Sequence, residues 1–489
     1  MRVHFIFICG SGVAQMAVIM KSLGHNVTGS DNDIYPPVST YLENNEINVL
    51  NFGSQNITKD TDLVVLGGST FIKVANQHNE EYEEAKRLGI KILGWDELVG
   101  DILSSQITID VVGTYGKSTC SALLAWILTV AKYDPSYMIG ALPLNFKTGA
   151  YKSDSDYSVF EGDEHPLLHY HKGGKFMYHK PTHVLITAAK WDHINVYKTP
   201  NEYIECYKNL ITLIKNPGFI VANIEGENIL QVIEDANVPI IFYSSSIQSI
   251  KKYENLKSTS NKNYHGLYVV RDIKFGNDNT QFVVDFVDFP RNENWKLPDQ
   301  ILFESPLIGL HNIENALGDI AMSLSLGVDL HFVQEGIRSF KNVKRRLEVV
   351  GRNNNNALII DDLAHSPVKA KETLKALRTR YKDNRIIAIF DAHSSLLKQK
   401  EVLDWLPGTF DLANEVIIPK IILQKDIPKD KWVFGKDIVE AIAKTQPNVK
   451  YMPIDENLID YLNSNTKADD IIIFMSSGSW RDIITSIIK

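Results

Sequence analysis

Residues 107–128, ITIDVVGTYGKSTCSALLAWIL, constrain the fold of this 489-residue chain more than any other stretch. An apolar run, a glycine turn and an apolar helical segment follow one another without a break, the connection from which open parallel α/β sheets are built. At the turn, Gly113 and Gly116 let backbone amides approach phosphate oxygens, Lys117 can reach β- and γ-phosphates, and Ser118 can ligate Mg2+. The loop is one glycine short of the general pattern G-x4-G-K-S/T, whose first glycine would fall at Val111. An ATP site is the reading; a bare strand–helix turn is the alternative.

An enzyme that works on ATP needs further metal ligands. The strand-like run YSVFEGDE ends in Glu161, Asp163 and Glu164, and THVLITAAKWDH ends in Asp192 and His193. Acids and an imidazole past the ends of neighbouring strands lie where an open α/β sheet has its ligand crevice. Solvated loop acids are the alternative for any one of them. His165, His169, His171 and His179 crowd HPLLHYHKGGKFMYH. Zinc binding, contact with an anionic substrate and a plain solvated loop all stay open for that segment.

A second glycine turn lies near the start. VHFIFICG reads as a buried strand, and CGSGVAQ gives Gly10-x-Gly12 with Gln15 where a dinucleotide fingerprint has its third glycine. Asp31 follows Gly10 by 21 positions, near where a ribose-binding acid would stand. An empty turn, an NAD site and the diphosphate of another nucleotide all fit.

Three α/β blocks follow from this alternation: residues 1–105, 106–342 and 343–489. In the second, GLYVVRDIKF and TQFVVDFVDF suggest a hairpin, KKYENLKSTSNKNYHG reads as a polar loop, and HNIENALGDIAMSLSLG reads as a helix. In the third, Asn353–Asn356 is expected to be a hairpin turn, and Ser366-Pro367 a helix start. About 150 residues per domain also gives about three.

Composition excludes several classes. With 44% hydrophobic and 22% charged residues the chain is globular, and a net charge of −8 opposes binding to nucleic acid or an anionic membrane. Cys9, Cys120 and Cys206 form no paired motif, so neither a disulfide framework nor a zinc knuckle is expected. No apolar run approaches the ~20 residues of a membrane span, and glycines interrupt the N-terminal run too early for a leader. A cytoplasmic protein is expected.

With these pieces in place, the chain resembles the Mur ligase family, most closely its murein peptide ligase branch. The family carries a shortened loop, G-T-x-G-K-S/T-S/T, which Gly113–Thr119 matches. VTGSDNDIYPPVSTYLE, IGALPLNF, the EGDE…KFMYHKP pair, WDHINVY, GLHNIENAL, VKRRLEV, DDLAHSP and MSSGSW are similar to family segments in the same order. The resemblance implies three domains: a Rossmann-like UDP-binding domain, a central P-loop ATPase domain and a C-terminal Rossmann-like domain. It implies an ATP-dependent ligase that joins UDP-N-acetylmuramate to the tripeptide L-Ala-γ-D-Glu-meso-diaminopimelate through an acyl phosphate, in peptidoglycan recycling or biosynthesis. The alternatives are the sibling ligase that adds L-alanine, a ligase for another cell-envelope precursor, and a binding protein that has lost turnover.

By the same resemblance, Gly10, Ser11, Gly12 and Asp31 would hold UDP. Gly113, Thr114, Gly116, Lys117, Ser118 and Thr119 would hold the ATP phosphates and a first Mg2+. Glu161 and His193 would ligate a second Mg2+, and His311, Asn312 and Asn315 would meet adenine. Arg346 and Asp362 would reach ATP from the third domain, and His365 would face the amine or the phosphates. Lys117, Glu161, His193 and His365 are therefore the expected catalytic set. Leu363 replaces an aromatic, Ser366 replaces a histidine, and HYHKGGKF lacks an arginine of the branch. Since a guanidinium fork holds peptide carboxylates well, that loss leaves the amine open, as the sequence leaves the oligomeric state. Lys208 stands fifteen residues after His193, at the spacing of a carbamylated lysine in several members, and is read as a surface helix lysine.

Overall fold

The computed structural model describes residues 1–67, 79–166, 173–193, 196–260, 262–276, 278–289, 297–392, 400–421, 432–478, 480 and 482–489. Their contacts define two compact units. The first comprises Met1–Lys274, Gln281–Pro306 and His311–Asn342; the second comprises Phe275–Thr280, Leu307–Leu310 and Val343–Lys489.

The first unit opens with a parallel five-stranded sheet: β1 (Arg2–Ile6), β2 (Asn26–Ser30), β3 (Asn48–Leu50), β4 (Leu63–Leu66) and β5 (Lys91–Gly94), in the order β3-β2-β1-β4-β5. The order reverses beside β1, which pairs with β2 and β4, so the crevice of this sheet opens where the first glycine turn leaves β1 for the helix Ser11–Ser22. Val13, Met16, Ala17 and Met20 of that helix pack on Val3, Phe5 and Val65 of the sheet.

A ten-stranded sheet follows: β6 (Ile107–Val112), β7 (Ser136–Met138), β8 (Ala150–Tyr151), β9 (Tyr157–Glu161), β10 (His183–Ile186), β11 (Ile220–Asn223), β12 (Ile240–Ser244), β13 (Tyr264–Phe275), β14 (Thr280–Val287) and β15 (Gln300–Ser305). Its order is β15-β14-β13-β12-β11-β10-β6-β9-β7-β8, and β6 lies parallel to both β9 and β10. The lysine-bearing turn after β6, the acids after β9 and the Asp192-His193 segment after β10 therefore leave one sheet edge side by side. Adjacent β13 and β14 bear out the expected hairpin. The stretch read as a polar loop is instead largely the helix Ser249–Thr259. Polar residues mask its face, since only Ile250, Tyr253 and Leu256 turn toward apolar neighbours, with Tyr253 buried and its hydroxyl 2.6 Å from Asp288.

The second unit holds β16 (Glu348–Arg352), β17 (Leu358–Asp362), β18 (Ile386–Phe390), β19 (Glu415–Ile418), β20 (Val449–Tyr451) and β21 (Ile471–Met475), in the order β16-β17-β21-β18-β19-β20. Alternate residues of β21 face two different cores: Ile471, Ile473 and Met475 one, Ile472 and Phe474 the other. Cover on both faces explains why these strands read as unbroken apolar runs. The Asn353–Asn356 turn joins the antiparallel pair β16–β17. Ser366 caps the helix Pro367–Arg380 by accepting from the Lys369 amide, with proline in its first turn.

Candidate active site

The loop after β6 is clamped from behind. Gly113 has φ +129, and a Cβ there would lie 2.2 Å from Thr187 Oγ1; Gly116 has φ +79, and its Cβ would lie 2.4 Å from Asn315 Oδ1. Side chains are thus excluded at both glycines by conformation and by space. The Thr114 amide donates to the Ala188 carbonyl (2.9 Å) and its hydroxyl to that of Lys190 (2.7 Å), while Thr187 donates to the Tyr115 carbonyl (2.6 Å). Thr119 is buried in the first turn of the helix Lys117–Val130. Among the adenine candidates, Asn315 reaches Asn312 (3.3 Å) and borders Gly116, whereas His311 is exposed at the start of the helix Leu310–Ser325.

Three carboxylates divide the polar partners between them. Glu161 accepts from the Ser118 hydroxyl and from the Gly140 amide, both at 2.7 Å. Glu164, almost wholly buried, lies 3.0 Å from Lys117 Nζ and 3.2 Å from His193 Nε2, and accepts from the Tyr203 hydroxyl at 3.1 Å. Asp163 pairs with Lys175 and accepts from the His165 amide. Lys117 also donates to the Gly113 carbonyl (2.7 Å). The structure therefore sets Glu161 on Ser118 and His193 on Glu164, rather than Glu161 and His193 on each other. Ligand atoms of Asp163, Glu164 and His193 lie within 4.8 Å of one another, a spacing one divalent cation could bridge.

The charges reinforce each other. Burial works against ionised Lys117, but Glu164, with Glu161 and Asp163 beyond it, holds the ammonium above its ordinary value. Burial likewise opposes ionised Glu164, yet the His193 hydrogen bond and the Lys117 charge keep its carboxyl below the usual range. The hydrogen bond to Glu164 raises His193 against its partial burial. His193 also sits at φ +53, its backbone amide held by Asp192 at 2.7 Å, so its ring direction is fixed by the loop.

A cavity of about 320 Å³ links this cluster to the first glycine turn, lined by Gly10, Ser11 and Gly12 on one side and by Asp163, Lys175 and His193 on the other. The Trp95 ring closes on Gly12, where a Cβ would lie 3.0 Å from it. Asp31 accepts from the amides of Cys9 (2.9 Å) and Asn32 (2.8 Å), so it braces the turn that lines the cavity.

In the second unit, Asp362 accepts from the amides of Leu347 (2.8 Å) and Ala364 (3.0 Å) and from Thr373 (3.0 Å). Burial raises its carboxyl, and Arg346 acts in the opposite sense. His365 Nδ1 lies 2.8 Å from the Leu363 carbonyl and so donates to it, leaving Nε2 to accept; burial lowers its basicity. Sequence reasoning missed Arg345, Asp361, Asp391 and Ser476, which meet where β17, β21 and β18 end: Arg345 pairs with Asp361 (3.2 Å) and Ser476 with Asp391 (2.9 Å). It offered Glu164 only as one of three strand-end metal-ligand acids, not as the partner of Lys117, and passed over Lys175 and Trp95. Lys175 stood in the quoted KFMYHKP segment, but nothing in its spacing points to the cavity.

Lys208 pairs with Glu234 (3.1 Å) and Asp235 (3.4 Å), which raise its basicity, as suits a surface lysine. His179 is buried on Asp110 (3.0 Å), a structural use. His169 and His171 lie outside the described residues, as do Ile194 and Asn195 of WDHINVY and Ser479 of MSSGSW.

A lysine-bearing phosphate loop, carboxylates at the neighbouring strand ends and a second nucleotide-type turn opening on the same cavity define the class: an ATP-dependent amide-forming ligase. The chain belongs to the Mur ligase family, whose members are ligases for peptidoglycan precursors. Residues 2–106 match the Mur ligase family catalytic domain, 111–323 the Mur ligase middle domain and 345–478 the Mur ligase glutamate ligase domain. A UDP-N-acetylmuramate–L-alanine ligase of Hydrogenobaculum is 27% identical, over 98% of this chain and 96% of its own. The UDP-N-acetylmuramate–L-alanyl-γ-D-glutamyl-meso-2,6-diaminoheptandioate ligase of Escherichia coli is 26% identical, over 99% and 96%. The crystal structure of a UDP-N-acetylmuramate–alanine ligase from Thermotoga maritima shares the fold, with TM-score 0.71 at 20% identity over 99% of this chain and 97% of that one. Among the described residues no helix is long and apolar enough to cross a membrane.

Proposed function

We propose that this chain condenses the carboxylate of UDP-N-acetylmuramate with the amine of L-alanine, using ATP and Mg2+ and releasing ADP and phosphate. The observation that carries the acid half is the shared cavity: the turn at Gly10–Gly12 opens on His193 and Asp163, and His193 and Lys117 share Glu164. A uridine nucleotide seated on the first turn would direct its sugar acid toward the phosphate loop. L-Alanine is favoured by the relatives named above that add it. A second reading, the tripeptide as amine, rests on the VTGSDNDIYPPVSTYLE and MSSGSW segments and on the E. coli relative.

The carboxylate attacks the γ-phosphate of ATP, forming an acyl phosphate and ADP; the amine adds to the activated carbonyl and phosphate departs. Lys117 leaves Glu164 and the Gly113 carbonyl to neutralise charge on the transferring group, while loop amides at Gly113–Ser118 orient the triphosphate. The residues fit a divalent cation: Ser118 and Glu161 already share a hydrogen bond, and three further ligand atoms converge at Asp163, Glu164 and His193. Mg2+ bound there supplies Lewis-acid stabilisation of phosphate oxygens. Reactants of this kind, ATP and a uridine nucleotide, place the work in the cytoplasm.

Phosphate release on UDP-N-acetylmuramate is the test, with L-alanine and then with L-Ala-γ-D-Glu-meso-diaminopimelate. Turnover with the tripeptide alone would replace the first reading by the second, and no turnover with either would refute both.

A further inference from the structure

We propose that Lys175 is the cation that binds the diphosphate of the acid substrate, opposite the amides of the first glycine turn. The inference rests on the reading of that substrate as a uridine sugar nucleotide. Among the described residues that line the 320 Å³ cavity Lys175 is the one lysine or arginine, and its side chain is 14% exposed. Its place is fixed by the fold. It begins the short turn Lys175–Tyr178, whose Phe176 is fully buried against Tyr207, and a Cβ on the preceding Gly174 would come within 2.6 Å of the Asp163 carbonyl.

The charge of Lys175 is held, not spent on solvent. Asp163 pairs with it on one side, and the Trp95 ring lies 6.0 Å away on the other. Trp95 in turn closes on Gly12. The ammonium is therefore anchored through two contacts at the face of the turn where the helix Ser11–Ser22 starts with no acidic residue in its first turn. Amides at such a start carry only partial positive charge. A diphosphate brings about two negative charges, so a full cation beside the amides completes the match. Asp163 is the internal partner that keeps Lys175 extended into the cavity before substrate arrives.

The test compares Lys175→Gln with the wild-type protein by calorimetric titration of UDP-N-acetylmuramate, of UDP-N-acetylglucosamine, which has the diphosphate but lacks the carboxylate, and of ATP. Both sugar nucleotides are expected to weaken by at least about tenfold, together, with ATP affinity within about twofold of wild type and Lys175→Arg restoring most of the loss. Loss for UDP-N-acetylmuramate alone would overturn the assignment in favour of a carboxylate contact. No loss for either would reduce Lys175 to a partner of Asp163. If Lys175→Gln does not fold, the double variant Asp163→Asn/Lys175→Gln removes the stranded acid, and the same two titrations decide. A wild-type protein that binds neither sugar nucleotide would instead refute the proposed function, a result separate from any of these.

Discussion

Replacing Glu164 with alanine removes the buried acceptor on which three side chains converge: Lys117 Nζ at 3.0 Å, His193 Nε2 at 3.2 Å and the Tyr203 hydroxyl at 3.1 Å. Breaking one side of a buried ion pair costs about 3–5 kcal/mol, because the remaining charge stays desolvated without a partner. Lys117 keeps the Gly113 carbonyl, so the lower half of that range applies, and the Tyr203 hydroxyl adds little because it still reaches Thr114 (3.2 Å) and Tyr207 (3.3 Å). A domain of about 200 residues shifts its melting midpoint by roughly 2–4 °C per kcal/mol. Glu164→Ala should therefore lower the transition of the central domain by on the order of 10 °C. Glu164→Gln keeps an acceptor for Tyr203 but turns an amide donor on Lys117, and should fall between. Scanning calorimetry at one fixed rate, with all three proteins side by side, reads the order. Both variants melting within about 2 °C of wild type would refute the view that Glu164 organises the site.

Three other outcomes are expected. Lys117→Ala should abolish ADP formation while calorimetry shows uridine sugar nucleotide still bound; ordinary turnover would end the phosphate-cradle assignment. Gly116→Ala forces a side chain into φ +79 and against Asn315, costing roughly 1–2 kcal/mol in backbone strain alone. Its ATP affinity should fall by more than tenfold, and an unchanged titration would contradict the clamp. Asp361 is pushed up to about 6, chiefly by burial, with Arg345 pulling the other way. Unfolded, it would ionise near 4, so between about pH 4 and 6 the native protein holds a proton that the unfolded chain has lost, and stability falls as pH rises through that window. Asp361→Asn should flatten this slope in melts from pH 4 to 7, and an unaltered slope would show that Asp361 does not set it.

Much of the architecture was legible because both faces of the inner strands are covered. Ile471–Met475 and Ile386–Phe390 read as continuous apolar runs for the physical reason that alternate residues enter two cores. Local chemistry also speaks plainly, as in Ser366-Pro367, whose cap and N-terminal proline need no tertiary context. The helix Ser249–Thr259 was hidden for the opposite reason, since its few apolar residues sit in a polar majority and its anchoring partner, Asp288, is distant in sequence. The same limit governs the site. Glu161, Asp163 and Glu164 stand within four positions, and spacing cannot say which meets Lys117, 47 residues earlier. The answer is set by the path of the loop past Gly162, where a Cβ would lie 2.5 Å from Val112 and 3.3 Å from Phe176.

That path has a consequence for how two anionic substrates share one crevice. Asp163 and Glu164 are neighbours in the chain, yet the first holds Lys175, facing the glycine turn after β1, and the second holds Lys117, on the loop after β6. Each ammonium is thus extended by a carboxylate from the same short segment, and under the proposed function each would meet a different nucleotide. Withdrawing either cation from water unpaired would cost several kcal/mol, and a solvent-exposed lysine would lose its direction to rotamer freedom. When Lys117 moves to a phosphate, Glu164 still has His193 and Tyr203 to satisfy it, so the acid is not stranded by the exchange. Asp163 likewise keeps the His165 amide. Two adjacent acids with reserve partners let both cations be kept extended without binding them too firmly to be given up, a requirement on any ligase that must hold two phosphorylated substrates at once.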